Sequence, residues 1–101
     1  MTIAVDDFRI HLQALLLDVG VVPTEGEWSN IAERYPRCPG ESLWDVREYA
    51  RPTGRGAREY RVVRGNGVLH VYCSVERDRA TAVRMALNEM ETQRTIRDRL
   101  A

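Results

Sequence analysis

The sequence predicts an α+β protein with two N-terminal helices, a three-stranded antiparallel β-meander and a long C-terminal helix packed on one sheet face. Three observations lead to this prediction. Apolar residues recur at helical spacing towards both ends of the chain, β-rich segments fill the middle, and Asn66-Gly67 separates two of those segments. At 101 residues, the chain is expected to form one domain, residues 1–101.

The first helix is predicted from about Phe8 to Val19. Asp6 or Asp7 can cap it, because a carboxylate accepts the free N–H groups of a first turn, and Gly20 can end it. One apolar face carries Phe8, Leu12, Leu15, Leu16 and Val19. A second stripe on the opposite side carries Ile10, Ala14 and Leu17. Two stripes predict a helix covered on both sides, by layers of its own fold or by another copy of the chain.

A second helix is predicted after Thr24, which forms a capping box with Glu27, and before Pro36. Its apolar residues are Trp28, Ile31, Ala32 and Tyr35. Two successive helices admit a helix-turn-helix interpretation. That interpretation is disfavoured because Gly26 and Ser29 would lie where a recognition helix needs apolar support.

Residues 42–51 are compatible with a strand or a helix. As a strand, Trp44, Val46 and Ala50 would share a face; as a helix, Ser42 would cap it. We favour the strand because the Trp, Val and Tyr content suits a pleated surface.

A β-hairpin is predicted over residues 58–75. Asn-Gly favours a two-residue turn in which both residues adopt positive φ. With Asn66-Gly67 as the loop, the predicted register pairs Gly65 with Val68, Val63 with His70, Val62 with Val71, Arg61 with Tyr72, and Tyr60 with Cys73.

The predicted register assigns a core face and a half-solvated face to the hairpin, because successive side chains alternate. The core face carries Tyr60, Val62, Leu69, Val71, Cys73 and Val75. The half-solvated face carries Glu59, Arg61, Val63, Val68, His70, Tyr72 and Ser74.

Asp78 is a predicted cap for the last helix. The core stripe of this helix is Ala80, Val83, Ala86, Leu87 and Met90. Ile96 and Leu100 lie on a different face, so the last ten residues are expected to leave the core, in solvent or against a partner.

Composition and charge indicate an ordinary globular domain. Of the residues, 44% are hydrophobic and 30% are charged, and the net charge is zero. All fifteen basic residues are Arg, which indicates either phosphate and carboxylate recognition or codon bias; we favour codon bias. No apolar run reaches the length of a membrane span, and the start lacks the basic residues of a signal peptide, so a cytoplasmic protein is expected.

Enzymatic chemistry is not predicted. The predicted register puts Cys73 and His70 on opposite faces of the hairpin, which excludes a nucleophile–base pair. Zinc would need Cys38, Cys73, His11 and His70, which lack the close spacing of ligand pairs. We therefore predict no catalytic residue, metal, cofactor or small-molecule substrate.

The main functional prediction is a small non-enzymatic binding protein that contacts another protein, with an adaptor, inhibitor or immunity-type role, as a homodimer. Tyr, Trp and Arg commonly anchor interfaces, and exposed apolar stripes mark contact sites. The predicted partner-binding residues are Arg58, Arg61, His70, Tyr72, Ile96 and Leu100.

The alternative prediction is a nucleic-acid-binding regulatory protein. Residues 47–64 hold six Arg and two Glu, with tyrosines nearby, and Arg binds phosphates while aromatic rings stack on bases. The predicted nucleic-acid contacts are Arg47, Arg51, Arg55 and Arg64. The order helix, three strands, helix is similar in topology to a double-stranded-RNA-binding domain. This chain departs from that pattern in its additional helix before the sheet and in the acidic residues that open its last helix.

Overall fold

The computed structural model describes residues 5–38, 40, 42–51, 56–65 and 69–100. Three α-helices and three strands follow the predicted order, with a short 3₁₀ turn, Tyr35–Arg37, after the second helix. The elements are α1 (Val5–Asp18), α2 (Glu25–Arg34), β1 (Trp44–Ala50), β2 (Arg58–Arg64), β3 (His70–Ser74) and α3 (Arg77–Leu100). This confirms the α+β class and the order of its parts. Asn66-Gly67, Val68 and Arg55 lie outside the described residues, as does the side chain of Asp6.

Local sequence signals determine the end of α1 and the start of α2. The predicted caps of the other two helix starts are wrong, because α1 begins at Val5, before Asp6 and Asp7, and α3 begins at Arg77, before Asp78. After α1, Gly20 has a φ of 79°, and the N–H of Val21 donates to the Leu16 carbonyl at 2.8 Å. This left-handed residue ends the helix and satisfies one of its last carbonyls. The Thr24 hydroxyl accepts from the N–H of Glu27 at 3.1 Å, and Glu27 accepts from the N–H of Thr24 at 3.0 Å. The capping box is therefore present as predicted.

The three strands form an antiparallel sheet in the order β1-β2-β3, which confirms residues 44–50 as a strand. One face of the sheet packs on α3, and α1 packs against α3. The buried core draws on every helix and strand, with Leu12, Leu16, Ile31, Trp44, Val62, Val71, Val83, Leu87 and Met90 among its members. Burying one such aliphatic side chain stabilises the fold by about 1.5–3 kcal/mol.

The observed register of the hairpin differs from the predicted one by a β-bulge. Val63 pairs with His70, as predicted, but Val62 then pairs with Tyr72 instead of Val71. Arg61 pairs with Cys73 and Tyr60 with Ser74, so the predicted Arg61–Tyr72 and Tyr60–Cys73 pairs are wrong by one residue. The extra residue is Val71. A bulge of this kind leaves two residues of one strand opposite one of its partner and reverses the alternation beyond it.

The bulge changes which side chains belong to the core. Tyr72, predicted on the half-solvated face, is buried with 3% exposed, whereas Cys73, predicted inside, is exposed. Leu69 and Val75 were also predicted inside, and they are 44% and 60% exposed. The core positions predicted for Val62 and Val71 are confirmed, Tyr60 is half-buried against the core, and Val63 is buried as well.

The last turns of α3 leave the core after Met90, as the sequence predicts. Ile96 is 52% exposed and Leu100 is 83% exposed. In the described part of the chain, none of the helices combines the length and the apolar character that crossing a membrane requires.

Candidate interaction surfaces

The sheet face that α3 leaves uncovered carries charged and aromatic side chains from all three strands. Asp45, Arg47 and Tyr49 of β1 pair with Val63, Arg61 and Glu59 of β2, respectively, so their side chains share this face. Cys73 of β3 joins them because it pairs with Arg61. We call this set, with His70, the outer sheet face.

Arg61 lies at the centre of the outer sheet face and is held by two neighbours. Its Nε donates to the Glu59 carboxylate at 3.1 Å, and its guanidinium lies over the Tyr49 ring, 4.3 Å from the centroid. The hydrogen bond from Arg61 holds the pKa of Glu59 below its usual range. The positive charge of Arg61 is thus largely matched within the face, which limits its attraction for phosphate.

A cavity of about 160 Å³ lies between α2 and β3. His70 and Cys73 both line it, together with Arg34 and Glu27. The bulge therefore brings onto one cavity two side chains that the predicted register separates. The exclusion of a Cys–His pair on the ground of opposite faces is wrong.

Neither cavity group is electrostatically activated. Partial burial, with a hydrogen bond to Glu59, raises the pKa of the Cys73 thiol. Burial and the charges of Arg34 and Arg61 lower the pKa of His70. At neutral pH these environments favour a neutral thiol and a neutral imidazole. A nucleophilic cysteine needs the opposite, because the thiolate is the reactive form.

Tyr72 takes a structural position inside the protein. Its hydroxyl accepts from Arg79 Nε at 2.6 Å, and Arg79 Nη2 donates to Glu27 at 3.0 Å. Burial, followed by the hydrogen bond to Glu27, raises the pKa of Tyr72 to about 12. Tyr72 thus joins β3, α2 and α3. Its predicted role as a partner-binding residue is not favoured by its burial.

Arg64 is likewise enclosed by the fold. Its side chain is only 6% exposed, lies 4.2 Å from the Trp44 ring centroid, and forms an ion pair with Glu91. Its Nη1 donates to the carbonyls of Cys38 at 3.2 Å and Gly40 at 3.0 Å. Contacts within the fold occupy the Arg64 guanidinium, so it is poorly available to a nucleic acid.

Glu91 links this buried arginine to the 3₁₀ turn. The Tyr35 hydroxyl donates to Glu91 at 2.6 Å. Burial, followed by that hydrogen bond, raises the pKa of Tyr35 to about 12. An open groove of about 790 Å³ lies beside these residues, and Ile96 and Arg94 are among the residues that line it.

The remaining predicted site residues are dispersed. Arg58 and Arg61 lie on different faces of the sheet, and the Nε of Arg58 is 3.7 Å from Oε1 of Glu48. Arg51 is exposed just beyond the end of β1. Ile96 and Leu100 are exposed near the end of α3. The structure thus brings Arg47, Arg61 and His70 onto one face, with Arg51 at its end. It separates them from Arg58, Arg64, Tyr72, Ile96 and Leu100.

The second apolar stripe of α1 is uncovered. Ile10 is 67% exposed and Leu17 is 55% exposed, and Ala14 between them is also exposed. Their spacing of four and three residues places them on one side of the helix. We call these three residues the α1 stripe.

The outer edge of β1 is a further surface, and sequence reasoning did not identify it. In the order β1-β2-β3, β1 has a neighbouring strand on one side only. The signal was a self-complementary pattern about Glu48, with Asp45 and Arg51 at its two ends, which acquires meaning only once these residues are known to form an edge strand.

No group of three or more His, Cys, Asp or Glu side chains in the described ranges is arranged to hold a metal ion. Comparisons with protein-family models, with curated proteins and with solved structures found no significant match to this chain. The class that the structure itself defines is a small α+β domain with an antiparallel sheet.

Proposed function

We propose that this chain is a small non-enzymatic binding protein, of an adaptor, inhibitor or immunity type, that acts as a homodimer and contacts another protein. The observation that carries the proposal is the uncovered α1 stripe. Leu12 and Leu16, on the opposite side of the same helix, are fully buried. The α1 helix therefore has an apolar side for the core and a second one that the described residues leave exposed.

The shape of the α1 stripe fits a helix of another protein. Apolar residues at i, i+4 and i+7 form a narrow band that an amphipathic helix can cover. Ala14, between Ile10 and Leu17, leaves room for a side chain of the partner. Burying the exposed parts of the two larger residues would provide a favourable contribution at about 25 cal/mol per Å² of apolar surface.

The charges beside the stripe indicate the chemistry of the partner. Asp7 and Asp18 are exposed on the flank that also carries Ala14. Arg9, the nearest cation in sequence, pairs with Glu25 at 2.7 Å. We therefore propose that the partner offers an amphipathic helix with basic residues beside its apolar stripe.

The experiment compares wild type with Leu17→Asp and with Met85→Asp, a control at a 49% exposed position of α3. Proteins captured from cells of the source organism are identified, produced and titrated into the isotopically labelled chain, and NMR shifts are mapped. We expect shifts at the α1 stripe, loss of binding in Leu17→Asp and normal binding in Met85→Asp. A partner that binds Leu17→Asp normally, or the absence of any captured protein, would overturn the proposal.

Nucleic-acid binding is the second candidate, and the outer sheet face is the observation in its favour. Arg47 and Arg61 are cross-strand neighbours, with Tyr49 against Arg61. A gel-shift series should then show binding that weakens steeply with salt and is lost in Arg47→Glu/Arg61→Glu. Arg58→Glu is the control, because Arg58 lies on the other face. Absence of a shift at low salt would exclude this candidate.

A further inference from the structure

The outer edge of β1 has backbone groups in a symmetric arrangement. Arg51 donates its N–H to the Ala57 carbonyl, so residues 45, 47, 49 and 51 direct their backbone groups towards β2. The backbone groups of residues 44, 46, 48 and 50 consequently point away from the sheet. The other edge of the sheet, along β3, packs against α2.

The start of the β1 edge is already occupied by side chains of the same chain. Asn88 accepts from the N–H of Trp44 at 2.8 Å and donates to its carbonyl at 3.1 Å. The N–H of Val46 donates to the side chain of Asp45 at 2.8 Å. In the described part of the chain, the Val46 carbonyl and both backbone groups of Glu48 and Ala50 remain without such a partner.

We propose that this edge pairs, antiparallel, with β1 of a second copy of the chain, about a two-fold axis at Glu48. The open backbone groups run from residue 46 to residue 50 and are centred on residue 48. The two Glu48 residues would exchange both backbone hydrogen bonds. Each Ala50 N–H would donate to the Val46 carbonyl of the other copy. Unpaired edge groups are templates for such pairing.

The same register makes the side chains complementary. It sets Asp45 opposite Arg51 of the other copy, and Arg47 opposite Tyr49, each twice because of the symmetry. Opposite charges and cation–π pairs across a strand pair each stabilise it modestly. All four side chains lie on the outer sheet face, so these contacts form on one side of the joined sheet.

Neighbouring registers are less suitable. A two-fold axis at Val46 would oppose Glu48 to Trp44, whose backbone groups already bind Asn88. An axis at Ala50 would oppose Glu48 to Pro52, which has no N–H to donate. An axis at Arg47 would oppose the two Arg47 side chains, and an axis at Tyr49 would oppose Arg47 to Arg51, so both registers set like charges opposite each other.

The pairing at Glu48 sets two carboxylates opposite each other, which is unfavourable by itself. Each carboxylate, however, has Arg58 at 3.7 Å and accepts from the Tyr60 hydroxyl at 3.2 Å. Two guanidinium groups would thus accompany the two carboxylates. A pairing this short covers less than the about 800 Å² per partner of a standard interface, so we expect a reversible dimer.

The resulting assembly is a continuous six-stranded sheet, and the pairing that forms it uses no residue of the α1 stripe. This inference rests on the homodimer in the proposed function and specifies its interface. The α1 contact is tested separately by Leu17→Asp. This variant should dimerise normally, because Leu17 is not part of the β1 edge. Either proposal can therefore fail without the other.

Cysteine cross-linking tests the register directly. In a Cys73→Ser background, Glu48→Cys should form a disulfide-linked dimer on mild oxidation, because a hydrogen-bonded antiparallel pair has a Cα separation of about 5.5 Å. Val46→Cys alone should not cross-link, but a mixture of Val46→Cys and Ala50→Cys should. Failure of Glu48→Cys to cross-link, or equal cross-linking of Val46→Cys alone, would overturn the inference.

Sedimentation provides a second measurement that needs no oxidation. Asp45→Arg should raise the dimer dissociation constant by about tenfold, since it removes two ion pairs and adds repulsion. Mixing Asp45→Arg with Arg51→Asp should restore pairing as a heterodimer, because an Arg then faces an Asp at both ends, and combining both substitutions in one chain should restore the homodimer. A monomeric wild type, or a dimer unaffected by Asp45→Arg, would overturn the inference.

Discussion

Val71 and Tyr72 are consecutive residues of β3, and both are buried, with 0% and 3% of their surfaces exposed. A regular strand would turn one of them outwards. The bulge opposite Val62 and Val63 instead allows Val71 to enter the core and the Tyr72 hydroxyl to reach Arg79. One extra residue thus determines both the core of the hairpin and the composition of the outer sheet face.

Removing the Tyr72 hydroxyl should destabilise the protein. Tyr72→Phe leaves Arg79 Nε without the acceptor that it has at 2.6 Å. A hydrogen bond to a charged group contributes about 1.5–3 kcal/mol, so we expect a loss of that order in the free energy of unfolding. Tyr49→Phe is the control, and urea denaturation measures both. Equal stability of the two variants would contradict a structural role for the hydroxyl.

Arg64→Ala should be among the most destabilising single substitutions of an arginine in this chain. It leaves Glu91 without its ion-pair partner and leaves the Cys38 and Gly40 carbonyls without their donor. Removing one partner of a buried pair costs about 3–5 kcal/mol. The control is Arg58→Ala, whose side chain is 57% exposed, for which a change below about 1 kcal/mol is expected. Thermal unfolding of both variants would reveal the contrast, and similar melting temperatures would refute it.

His70 should make the protein less stable as pH falls below 6.5, its ordinary pKa. Burial, with Arg34 and Arg61 nearby, lowers the pKa in the folded state. The unfolded chain therefore binds a proton at a pH where the folded protein does not, and this favours unfolding. Denaturation curves for wild type and His70→Gln, measured at pH 7.5 and 5.5, should show a larger loss for wild type. An identical loss in the variant would mean that His70 does not contribute.

The reactivity of the Cys73 thiol should increase when Glu59 loses its charge. Partial burial and the hydrogen bond to Glu59 raise the thiol pKa, so Glu59→Gln should increase the thiolate fraction near pH 8. An aromatic disulfide reagent should react several-fold faster with Glu59→Gln than with wild type. Glu48→Gln, on the other sheet face, is the control. Cys73→Ser should abolish the fast reaction, because Cys38 is buried.

The local elements of this fold are predictable because their signals are local. The capping box at Thr24, the positive φ at Gly20 and the core stripe of α3 depend on residues within a few positions of one another. The choice of strand for residues 44–50 also followed from composition. For the site, the exposure of Ile96 on α3 agrees with the prediction that the end of this helix leaves the core, whereas Ile10 and Leu17 lie on a stripe of α1 that was predicted to be covered and are exposed.

The outer sheet face could not be predicted in the same way. The turn at Asn66-Gly67 suggested an uninterrupted register, and alternation then assigned every side chain beyond it. Some bulges are marked by a glycine, but the extra residue here is Val71, so no local signal in the sequence marks its position. The error at Val71 therefore exchanged Tyr72 and Cys73 between the two faces.

By itself, the sequence determined the class, the order of the elements, the end of α1 and the start of α2, since propensity, capping and periodicity operate over short distances. Only the tertiary structure decided that Val71 and Tyr72 are both buried and that Arg64 is enclosed. These outcomes depend on contacts between residues far apart in the chain, such as Tyr72 with Arg79 of α3 and Arg64 with Glu91. Packing the strands against α3 buries Tyr72 while its hydroxyl accepts from Arg79, a contact that the predicted regular alternation would turn away from the core.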